Sequence, residues 1–477
     1  MSIELGNQDQ PSDYSSSVGD SQKGIRYTKD YNIIALNLLS GYSPSIELKP
    51  VMVELSYFED IYSNFVSGQI LITDALGIIE KMGIHGNEYI RVAFAKDGSE
   101  LQIDKLFRVY KVSMRQKLPG LDVEGYVLHF CSDELLVSEQ YKISKSYSGK
   151  KVSEIVKDVL TTYLKAPSYK IKASNIEDTK GVYSLIVPNF KPFEAINWVS
   201  IYAQSAAPKT SGCDMLFFEN AEGYNFVSLQ SLFSKKPYYN YQYRPKNVNI
   251  ESHNNDANKQ IFNVLNYDIL NSFNVVEGVS SGMFANRLLT IDPLLRRYNT
   301  TDFNYMNYQK SATKLNSNAI VNNLENRFGD TLYETPAGCF KVSGTNKDQA
   351  KVDYIASKQD GITKDIFAEN VFSQRKSQIS LANYTRVKLY ISGDPSVTVG
   401  MTINFDVLSL DPASATHNKG LDQYYSGKYL ITAVRHIIQT GGYNTIIEAV
   451  KDSIPEAYTL IDNNKPIWKN TVAGVLK

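Results

Sequence analysis

Three acidic residues are the first candidates for chemistry in this chain. Glu59 and Asp60 are adjacent, and Glu134 lies further along the sequence. Two carboxylates that face each other across a cleft can serve as the acid and the nucleophile or base of a glycosidase. The chain has 50 acidic residues, however, so such combinations arise by chance. We therefore expect Glu59, Asp60 and Glu134 to be solvated loop acids without a catalytic role.

The histidines provide no metal-binding motif. They never lie three to five residues from one another or from a cysteine, as the ligands of common zinc motifs do; their positions are His85, His129, His253, His417 and His436. The sequence also has no phosphate-binding glycine loop and no nucleophile elbow. His129 and His436 fall in strand patterns, which favours packed or surface imidazoles. We predict no catalytic, cofactor-binding or metal-binding residue, no cofactor, and a protein that is not an enzyme.

An aromatic cluster beside an arginine is the strongest candidate for binding. Its members are Tyr238, Tyr239, Tyr241, Tyr243 and Arg244. Such residues can stack on bases or sugars. The flanking prolines, Pro237 and Pro245, favour an extended connector packed between domains, and an interface strand explains the alternating tyrosines equally well. Arg296 and Arg297 can contact phosphate, but paired loop arginines are usually solvated or ion-paired. The 50 basic and 50 acidic residues also exclude a global attraction to nucleic acid.

Composition and termini restrict the class of protein further. Cys131, Cys213 and Cys339 are too widely spaced for a zinc site or a disulfide framework, so we expect buried thiols in a reducing cytoplasm. Residues 1–24 are polar and lack the basic start and apolar core of a signal peptide, which predicts a flexible arm. The best apolar run, 32–39, is far shorter than the roughly 20 residues of a membrane helix.

Two distant stretches carry the same hairpin pattern. Each has an aromatic residue, a β-branched residue two positions later, a valine five positions after the aromatic residue and, after a Gly-containing turn, an alternating strand that ends in aspartate. The positions are Phe107, Val109, Val112 and Asp133 in the first stretch and Tyr429, Ile431, Val434 and Asp452 in the second. A strand led by Gly86 or Gly400 precedes each hairpin. The repetition predicts two similar β-barrels in one chain.

Periodicity predicts the elements around these hairpins. Alternation typical of strands occurs at 51–58, 69–74, 89–95, 106–114, 123–132, 387–392, 402–407, 428–438 and 443–451. Residues 59–65 between the first two strands predict a loop or a short helix. A 3.6-residue period predicts a helix over 152–163, and a second helix is expected to begin at Pro192. Residues 215–219 and 224–229 predict a further hairpin. The chain is therefore mainly β with an α+β insertion, and the Asn-rich stretch up to about residue 376 is mixed structure.

Four segments resemble the baseplate hub subunit of contractile-tailed (myovirus) bacteriophages. They are 58–68 (FEDIYSNFVSG), 72–74 (ITD), 188–198 (PNFKPFEAINW) and 426–436 (SGKYLITAVRH). The resemblance implies two tail-tube-like antiparallel β-barrels per chain and a homotrimer around a channel. Its domains are a flexible N-terminal arm (1–26), tube-like β-barrel I (27–140, completed by 211–235), an α/β insertion (141–210), a mixed middle domain (236–376), tube-like β-barrel II (377–452) and a C-terminal arm (453–477).

The resemblance also implies a role in virion assembly and genome ejection. Three chains with two equivalent barrels each offer six positions to a sixfold tail tube and three to a threefold spike, which makes the trimer a symmetry adaptor. The implied partners are the central spike protein, tail tube or tube-initiator proteins, the tape-measure protein and other baseplate proteins. DNA only passes through the channel, the chain does not insert into a membrane, and the virion tail baseplate is assembled in the bacterial host cytoplasm.

Few lysines and arginines are expected to face the channel, because a basic lining would retain DNA through its phosphates. Two alternatives remain open. The chain could be another tube-like component, such as a tube initiator of a contractile injection machine. It could also be a carbohydrate-binding or cell-wall-degrading tail protein that uses the tyrosine cluster, although in such hubs lysis belongs to the spike partner.

Overall fold

The computed structural model describes most of the chain between residues 31 and 456. The described residues are 31–96, 102–117, 119–120, 122–207, 212–243, 263–292, 296–310, 312–320, 326, 330–336, 338–343, 368–409, 420–422 and 424–456. The predicted N-terminal arm and residues 457–477 of the predicted C-terminal arm lie outside this range.

Strands make up most of the regular structure. They are β1 (Tyr31–Leu39), β2 (Ile46–Glu47), β3 (Met52–Asp60), β4 (Ser67–Asp74), β5 (Tyr89–Lys96), β6 (Gln102–Lys117), β7 (Glu124–Cys131), β8 (Ile143–Lys150), β9 (Tyr183–Phe190), β10 (Met215–Asn220), β11 (Gly223–Ser228), β12 (Asn240–Tyr243), β13 (Asn263–Val264), β14 (Asn266–Asn271), β15 (Ala285–Asp292), β16 (Arg297–Asn304), β17 (Asn318–Ala319), β18 (Gly338–Ser343), β19 (Thr385–Ser392), β20 (Thr402–Asp406), β21 (Gly427–Gln439), β22 (Gly442–Lys451) and β23 (Ser453–Ile454).

The helices are short and lie mainly between the strand-rich parts of the chain. They are α1 (Ile78–Met82), α2 (Asp133–Gln140), α3 (Val152–Asp158), α4 (Pro192–Ser200), α5 (Leu229–Ser234), α6 (Val275–Ser280), α7 (Tyr305–Gln309) and α8 (Ala368–Ala382). A π-helical segment, Val159–Tyr163, continues α3, and Ser168–Lys170 and Ala173–Asn175 are 3₁₀ turns. Among the described residues, no helix has the length and apolarity that crossing a membrane requires.

Fourteen strands form one large sheet. Its order is β13-β12-β20-β21-β3-β4-β7-β6-β5-β1-β2, and β22 pairs with β21, β19 with β22, and β14 with β19. Most of these pairs are antiparallel, whereas β12 runs parallel to β13 and β20. Smaller sheets join β10 to β11, β8 to β9, β17 to β23, and β15 to both β16 and β18. The predicted fold class, mainly β with antiparallel pairing, is confirmed at this level.

The two helices expected from the 3.6-residue period are present. α3 and its π-helical continuation cover 152–163, and α4 begins at Pro192, where the missing N–H costs nothing. The Glu194 carboxylate accepts a hydrogen bond from the Lys191 N–H at 3.1 Å and so caps the first turn. The apolar faces of both helices share one core with side chains of β8 to β11. Tertiary burial therefore reinforces the local helical pattern.

Two further cores lie within the large sheet. One contains Tyr57, Phe107 and Phe130, and it also takes in Ile438 and Tyr443 from the distant hairpin of β21 and β22. The other is built from the opposite halves of β21 and β22 with β19 and β20. The same two strands therefore contribute side chains to both cores, and the two halves of the sheet cannot pack independently.

The strand predictions are confirmed with small shifts at their ends. One difference affects the interpretation of a candidate residue, because β3 continues through Asp60, so residues 59 and 60 belong to a strand instead of a loop or helix. Periodicity did not predict β1, β12 or β14. Residues 453–454, at the start of the predicted C-terminal arm, form β23 and pair with β17.

Candidate functional site

The first candidate carboxylate, Glu59, is buried near the end of β3. Its carboxylate accepts hydrogen bonds from the Thr398 hydroxyl at 2.5 Å, the Tyr57 hydroxyl at 3.0 Å and the Val399 N–H at 3.2 Å. Burial raises the pKa of Glu59 in spite of these donors. The expectation of a solvated loop acid is therefore wrong for Glu59, because the strand is longer than predicted and the segment before β20 covers it.

The second candidate, Glu134, is also buried, so the same expectation is wrong for it. It belongs to a group of charged side chains that we call the ionic cluster, consisting of Lys105, Glu134, Lys170 and Glu219. The Lys170 ammonium donates to both Glu134 oxygens at 2.8 Å and lies 3.1 Å from Glu219 Oε1. The Lys105 ammonium lies 4.0 Å from the same Glu219 oxygen. Two positive and two negative groups therefore compensate one another away from water.

Charge pairing dominates the protonation of Lys170 and Glu219, whereas burial outweighs the nearby carboxylates at Lys105 and lowers its pKa. Burial disfavours the charged form of Lys170, but Glu219 and Glu134 outweigh burial and raise its pKa. Burial would also raise the pKa of Glu219, yet Lys170 and Lys105 lower it. The second Glu219 oxygen accepts hydrogen bonds from the Ser132 hydroxyl at 2.5 Å and the Val66 N–H at 3.1 Å. The cluster thus joins β10 to the end of β7, α2 and the 3₁₀ turn at Lys170, which is a structural role.

His129 and His436 are packing residues, as are the two cysteines whose side chains the structure describes, whereas His85 is exposed. His436 is fully buried with the Tyr443 hydroxyl 2.8 Å from Nδ1, and burial lowers the pKa of His436 to about 3. His129 is half-buried with the Ser113 hydroxyl 2.7 Å from Nε2. These positions confirm packed imidazoles. Across the described ranges, no group of three or more His, Cys, Asp or Glu side chains is placed to hold a metal ion.

The expected buried thiols are confirmed at Cys131 and Cys213, and burial raises the pKa of Cys131 to about 12. The side chain of Cys339 and residues His253 and His417 lie outside the described part of the structure. Arg296 is exposed at the turn between β15 and β16, with φ at 51°. The side chain of Arg297 is again outside the described part.

The tyrosine cluster forms a strand that packs on the second sheet core. Three of its residues, Tyr239, Tyr241 and Tyr243, face this core, and Tyr241 is fully buried. Tyr238 is 41% exposed, and Arg244 lies outside the described residues. These tyrosines therefore belong to a strand of the sheet, and most of their aromatic surface is used for packing on its core.

The duplicated hairpin is repeated at the level of register. In the first hairpin Arg108 lies opposite Cys131, and in the second Leu430 lies opposite Val450 at the matching positions. A register shift follows at the same place in both, between Val109 and Lys111 and between Ile431 and Ala433. Such bulges are specific local features of a strand pair. The predicted sequence repeat is thus a repeat of backbone geometry, bulge included.

The repetition extends to five strands. We call β3, β4, β7, β6 and β5 the first repeat and β14, β19, β22, β21 and β20 the second repeat, because each set is paired in that order. Gln69 of β4 lies opposite His129, and Lys388 of β19 lies opposite Glu448, the matching residue. Ser56 and Asp268 are in turn the partners of Gln69 and Lys388. The register is therefore the same at these matched positions, whereas the first repeat has a further bulge between Ser113 and Gln116 and the second has one between Ile269 and Asn271.

One matched cross-strand pair differs in an informative way. Gly68 lies opposite Phe130 in the first repeat, and Val387 lies opposite Ala449 in the second. A Cβ atom added to Gly68 would lie 2.2 Å from Phe130 Cζ, so the glycine is required by the ring. Both pairs place a larger side chain against a smaller one, but on opposite strands. The two repeats therefore share the strand pairing at this position but place the larger side chain on different strands.

The junction between the repeats is the candidate functional site. The outer half of β21, from Ala433 to Gln439, pairs antiparallel with β3, from Asp60 to Glu54. Arg435 lies 3.1 Å from Glu54, and the pKa of Glu54 is lowered because hydrogen bonds and Arg435 outweigh burial. The Glu59–Thr398 hydrogen bond lies beside this joint. The chemistry available here is strand addition between two similar modules.

The sequence predicts the repeat but not the charged side chains of the ionic cluster and of the junction. Lys105, Lys170 and Glu219 were not singled out, although Glu219 directly follows the apolar run 215–218 within the same strand. An isolated charge in such a run indicates a buried, paired group. Glu54 and Arg435 carried no comparable signal, because each fits the polar face of an ordinary strand.

Sequence comparison finds a relative of known type. The chain is 22% identical over 422 residues to a protein of Vibrio phage KVP40 described as "Probable baseplate hub protein gp334", and the match covers 86% of this chain and 92% of that protein. No family model matches the chain.

Solved structures with low overall similarity include two tail proteins. The tail protein from Neisseria meningitidis MC58 gives a TM-score of 0.49 at 10% identity and covers 89% of this chain and 97% of that one. The 43 kDa tail protein of prophage MuSo2 from Shewanella oneidensis gives 0.48 at 9% identity, with 88% and 99% covered. The resemblance that the sequence motifs indicated is confirmed by the phage relative: this chain is similar, over most of its length, to a phage baseplate hub protein.

Proposed function

We propose that this chain is the structural hub subunit of a contractile-tail baseplate and that it assembles as a homotrimer. In this proposal each chain contributes two tail-tube-like barrels to a pseudo-sixfold ring. The observation that carries it is the five-strand repeat, in which order, register and bulge recur. Two equivalent modules per chain are what three chains need to offer six equivalent positions. The likeness to a phage hub protein supports the same role.

Strand pairing supports a barrel in the second repeat. β12 pairs with β20 on one side and with β13 on the other. The Leu265 N–H, between β13 and β14, donates to the Tyr390 carbonyl of β19 at 2.7 Å. This hydrogen bond brings the β13 end of the strand order next to β19, which supports the proposed barrel. In the first repeat, the Tyr31 hydroxyl of β1 donates to the Gln439 carbonyl at 2.6 Å and so brings β1 to the distant hairpin.

The proposed partners lie on the two sides of this ring. A threefold spike would contact three chains, and a sixfold tube or tube initiator would contact six barrels, with the tape-measure protein and DNA in the channel. The proposed location is the virion baseplate after assembly in the host cytoplasm. Few basic residues are expected on the channel wall, since phosphate contacts would retain DNA. A basic ring at the narrowest point would contradict this part of the proposal.

A non-enzymatic role is part of the proposal. The carboxylates that a glycosidase would need, Glu59 and Glu134, are buried and engaged in hydrogen bonds or ion pairs. The tyrosine strand packs on a core and leaves little aromatic surface for a sugar. A peptidoglycan zymogram of the purified chain is expected to show no clearing, and a cleared band at its mass would refute the non-enzymatic role.

Light scattering on the purified chain tests the assembly. The expected mass is about 160 kDa, three times the chain mass of 53.6 kDa. A trimer supports the hub. A chain that stays monomeric at micromolar concentration, also with its spike protein present, would overturn the proposal.

A further inference from the structure

Within the two repeats, two strand edges have no strand beside them in the described part of the structure. β5 covers β6 only up to Arg108, so the outer half of β6, from Lys111 to Lys117, is paired on one side by β7 alone. β14 is paired by β19 on one side only. Exposed strand edges tend to pair with other chains unless they are blocked.

Both edges expose apolar side chains. On β6, Met114 is 77% exposed, and Tyr110 just before the outer half is 52% exposed. On and beside β14, Ile269 is 41%, Leu270 47% and Leu265 56% exposed. The two edges are not of like charge, since β14 carries Asp268 without a lysine or arginine and the outer half of β6 carries Lys111, Arg115 and Lys117, of which Arg115 and Lys117 also form ion pairs within the chain. These properties suit an interface between the two edges.

The repeat identifies the partner of each edge. β6 matches β21, and β14 matches β3, and within the chain the outer half of β21 is already paired with β3. The same joint made with the matching strands brings β6 of one molecule to β14 of another. Applied again, the operation produces a head-to-tail contact that closes into a ring when the rotation permits. The occupant of each edge is thus a second copy of this chain.

We propose that the outer half of β6 adds, antiparallel, to β14 of a second copy, in the register of the β21–β3 joint. Ile437 lies opposite Ser56 in that joint, and Asp268 matches Ser56. Gln116 matches Ile437 because it pairs with Gly125 as Ile437 pairs with the matching Asn444, the bulge between Ser113 and Gln116 having shifted the match by one residue. Gln116 therefore faces Asp268 of the second copy. This proposal rests on the proposed trimer, for which it supplies the contact between chains.

Engineered cysteines test the register. In antiparallel strands, residues directly opposite have Cβ atoms about 4.5–5.5 Å apart, which a disulfide can bridge with a small adjustment. A Gln116→Cys/Asp268→Cys chain is incubated with oxidised glutathione, which takes up the two electrons of each new disulfide. Non-reducing electrophoresis is expected to show dimers and trimers that dithiothreitol removes.

Two controls make the test specific. Lys111→Cys/Asp268→Cys displaces the pair by five residues, roughly 15 Å along the strand, and is expected not to cross-link. Separate Gln116→Cys and Asp268→Cys chains, mixed before oxidation, are expected to give dimers and thereby show that the link joins different molecules. Cross-linking at both registers with equal efficiency would contradict the proposal.

An edge-blocking variant provides an independent measurement. Leu270→Lys places a positive charge on the β14 edge opposite the basic β6, whereas Val276→Lys places it on α6, where Val276 is 81% exposed. By light scattering, Leu270→Lys is expected to shift the mass towards the monomer and Val276→Lys to leave it unchanged. If Leu270→Lys remains trimeric and the 116–268 cysteine pair gives no cross-link, the assignment of the β6 and β14 edges is wrong, but the proposed trimer is not affected. A wild-type chain that is monomeric overturns the proposed trimer as well.

Discussion

Removing Lys170 from the ionic cluster is expected to destabilise the protein strongly at neutral pH. The Lys170→Met change takes away the ammonium that lies 2.8 Å from Glu134 and 3.1 Å from Glu219. Lys105, at 4.0 Å from Glu219, is then the remaining positive group of the cluster. Breaking a buried ion pair by deleting one partner typically costs about 3–5 kcal/mol. We expect a loss in that range at pH 7.

The pH dependence of the loss separates charge from packing. In the wild type the pKa of Glu219 is lowered, so its stabilising contribution is complete above the unfolded pKa, about 4.3, and is lost as pH falls through the lower folded value. Without Lys170, burial dominates and the pKa of Glu219 rises, so protonation relieves the variant. The difference between wild type and Lys170→Met is therefore expected to shrink from pH 7 to pH 4.5.

Urea unfolding measures both quantities. A Trp468→Phe background leaves Trp198 as the single tryptophan, and Trp198 packs at the edge of the helical core. Lys151→Met is the control, because it breaks the exposed Lys151–Asp178 pair and is expected to change stability within about 0.5 kcal/mol. If Lys170→Met loses less than about 1 kcal/mol at pH 7, or the same amount at both pH values, the assigned charges are wrong.

Three further changes test the packing and the junction. Gly68→Ala puts a Cβ atom 2.2 Å from Phe130 Cζ and 2.6 Å from the Ser56 carbonyl oxygen. Thermal unfolding is therefore expected to show a loss of stability of about 2–3 kcal/mol. Gly41→Ala, where the added Cβ atom meets open space, is the neutral control. Adding Phe130→Ala to Gly68→Ala is expected to cost less than the two single losses together, and strict additivity would argue against the ring clash. Thr398→Val removes the hydroxyl that donates to buried Glu59 and should lower the free energy of unfolding in urea by about 1–3 kcal/mol. In a Glu59→Gln background, the loss caused by Thr398→Val should be smaller. Equal losses in the two backgrounds would contradict a charged Glu59. The folded pKa of His436 is lowered to about 3, below the unfolded value of about 6.5. Its contribution to the free energy of unfolding is therefore complete above pH 6.5 and is lost as pH falls, at up to about 1.4 kcal/mol per pH unit. His436→Gln is expected to flatten the plot of melting temperature against pH between 6 and 4, and an unchanged slope would exclude His436 as its cause.

The repeated hairpins could be predicted because alternation and turn residues are local signals. Phe107 and Tyr429 point into cores at matching positions, and that pattern survives in the sequence. β14 gave no such signal, since most of its side chains are exposed and its apolar residues do not alternate. β1 lies in the continuous apolar run 32–39, which does not distinguish a strand from a helix.

The candidate site was harder to predict because its partners are distant in sequence. Glu59 is buried by Thr398, 339 residues away, and no local pattern reports that contact. Glu134 follows a strand and has the sequence context of a loop acid, yet Lys170 folds back onto it from a 3₁₀ turn. Local periodicity therefore yields elements, whereas the burial of a charge depends on which elements meet.

The pairing of β21 with β3 has a consequence for biosynthesis. Gln439 and Glu54, which are hydrogen-bonded across this joint, are separated by 385 residues. At about 5–20 residues per second, the ribosome needs roughly 20–80 s to deliver the second strand after the first. During that interval the first core lacks Ile438 and Tyr443, and the edge of β3 that later pairs with β21 remains unpaired. The nascent chain is therefore most exposed to aggregation before the β21–β22 hairpin emerges, and the first core is completed only after that hairpin has been synthesised.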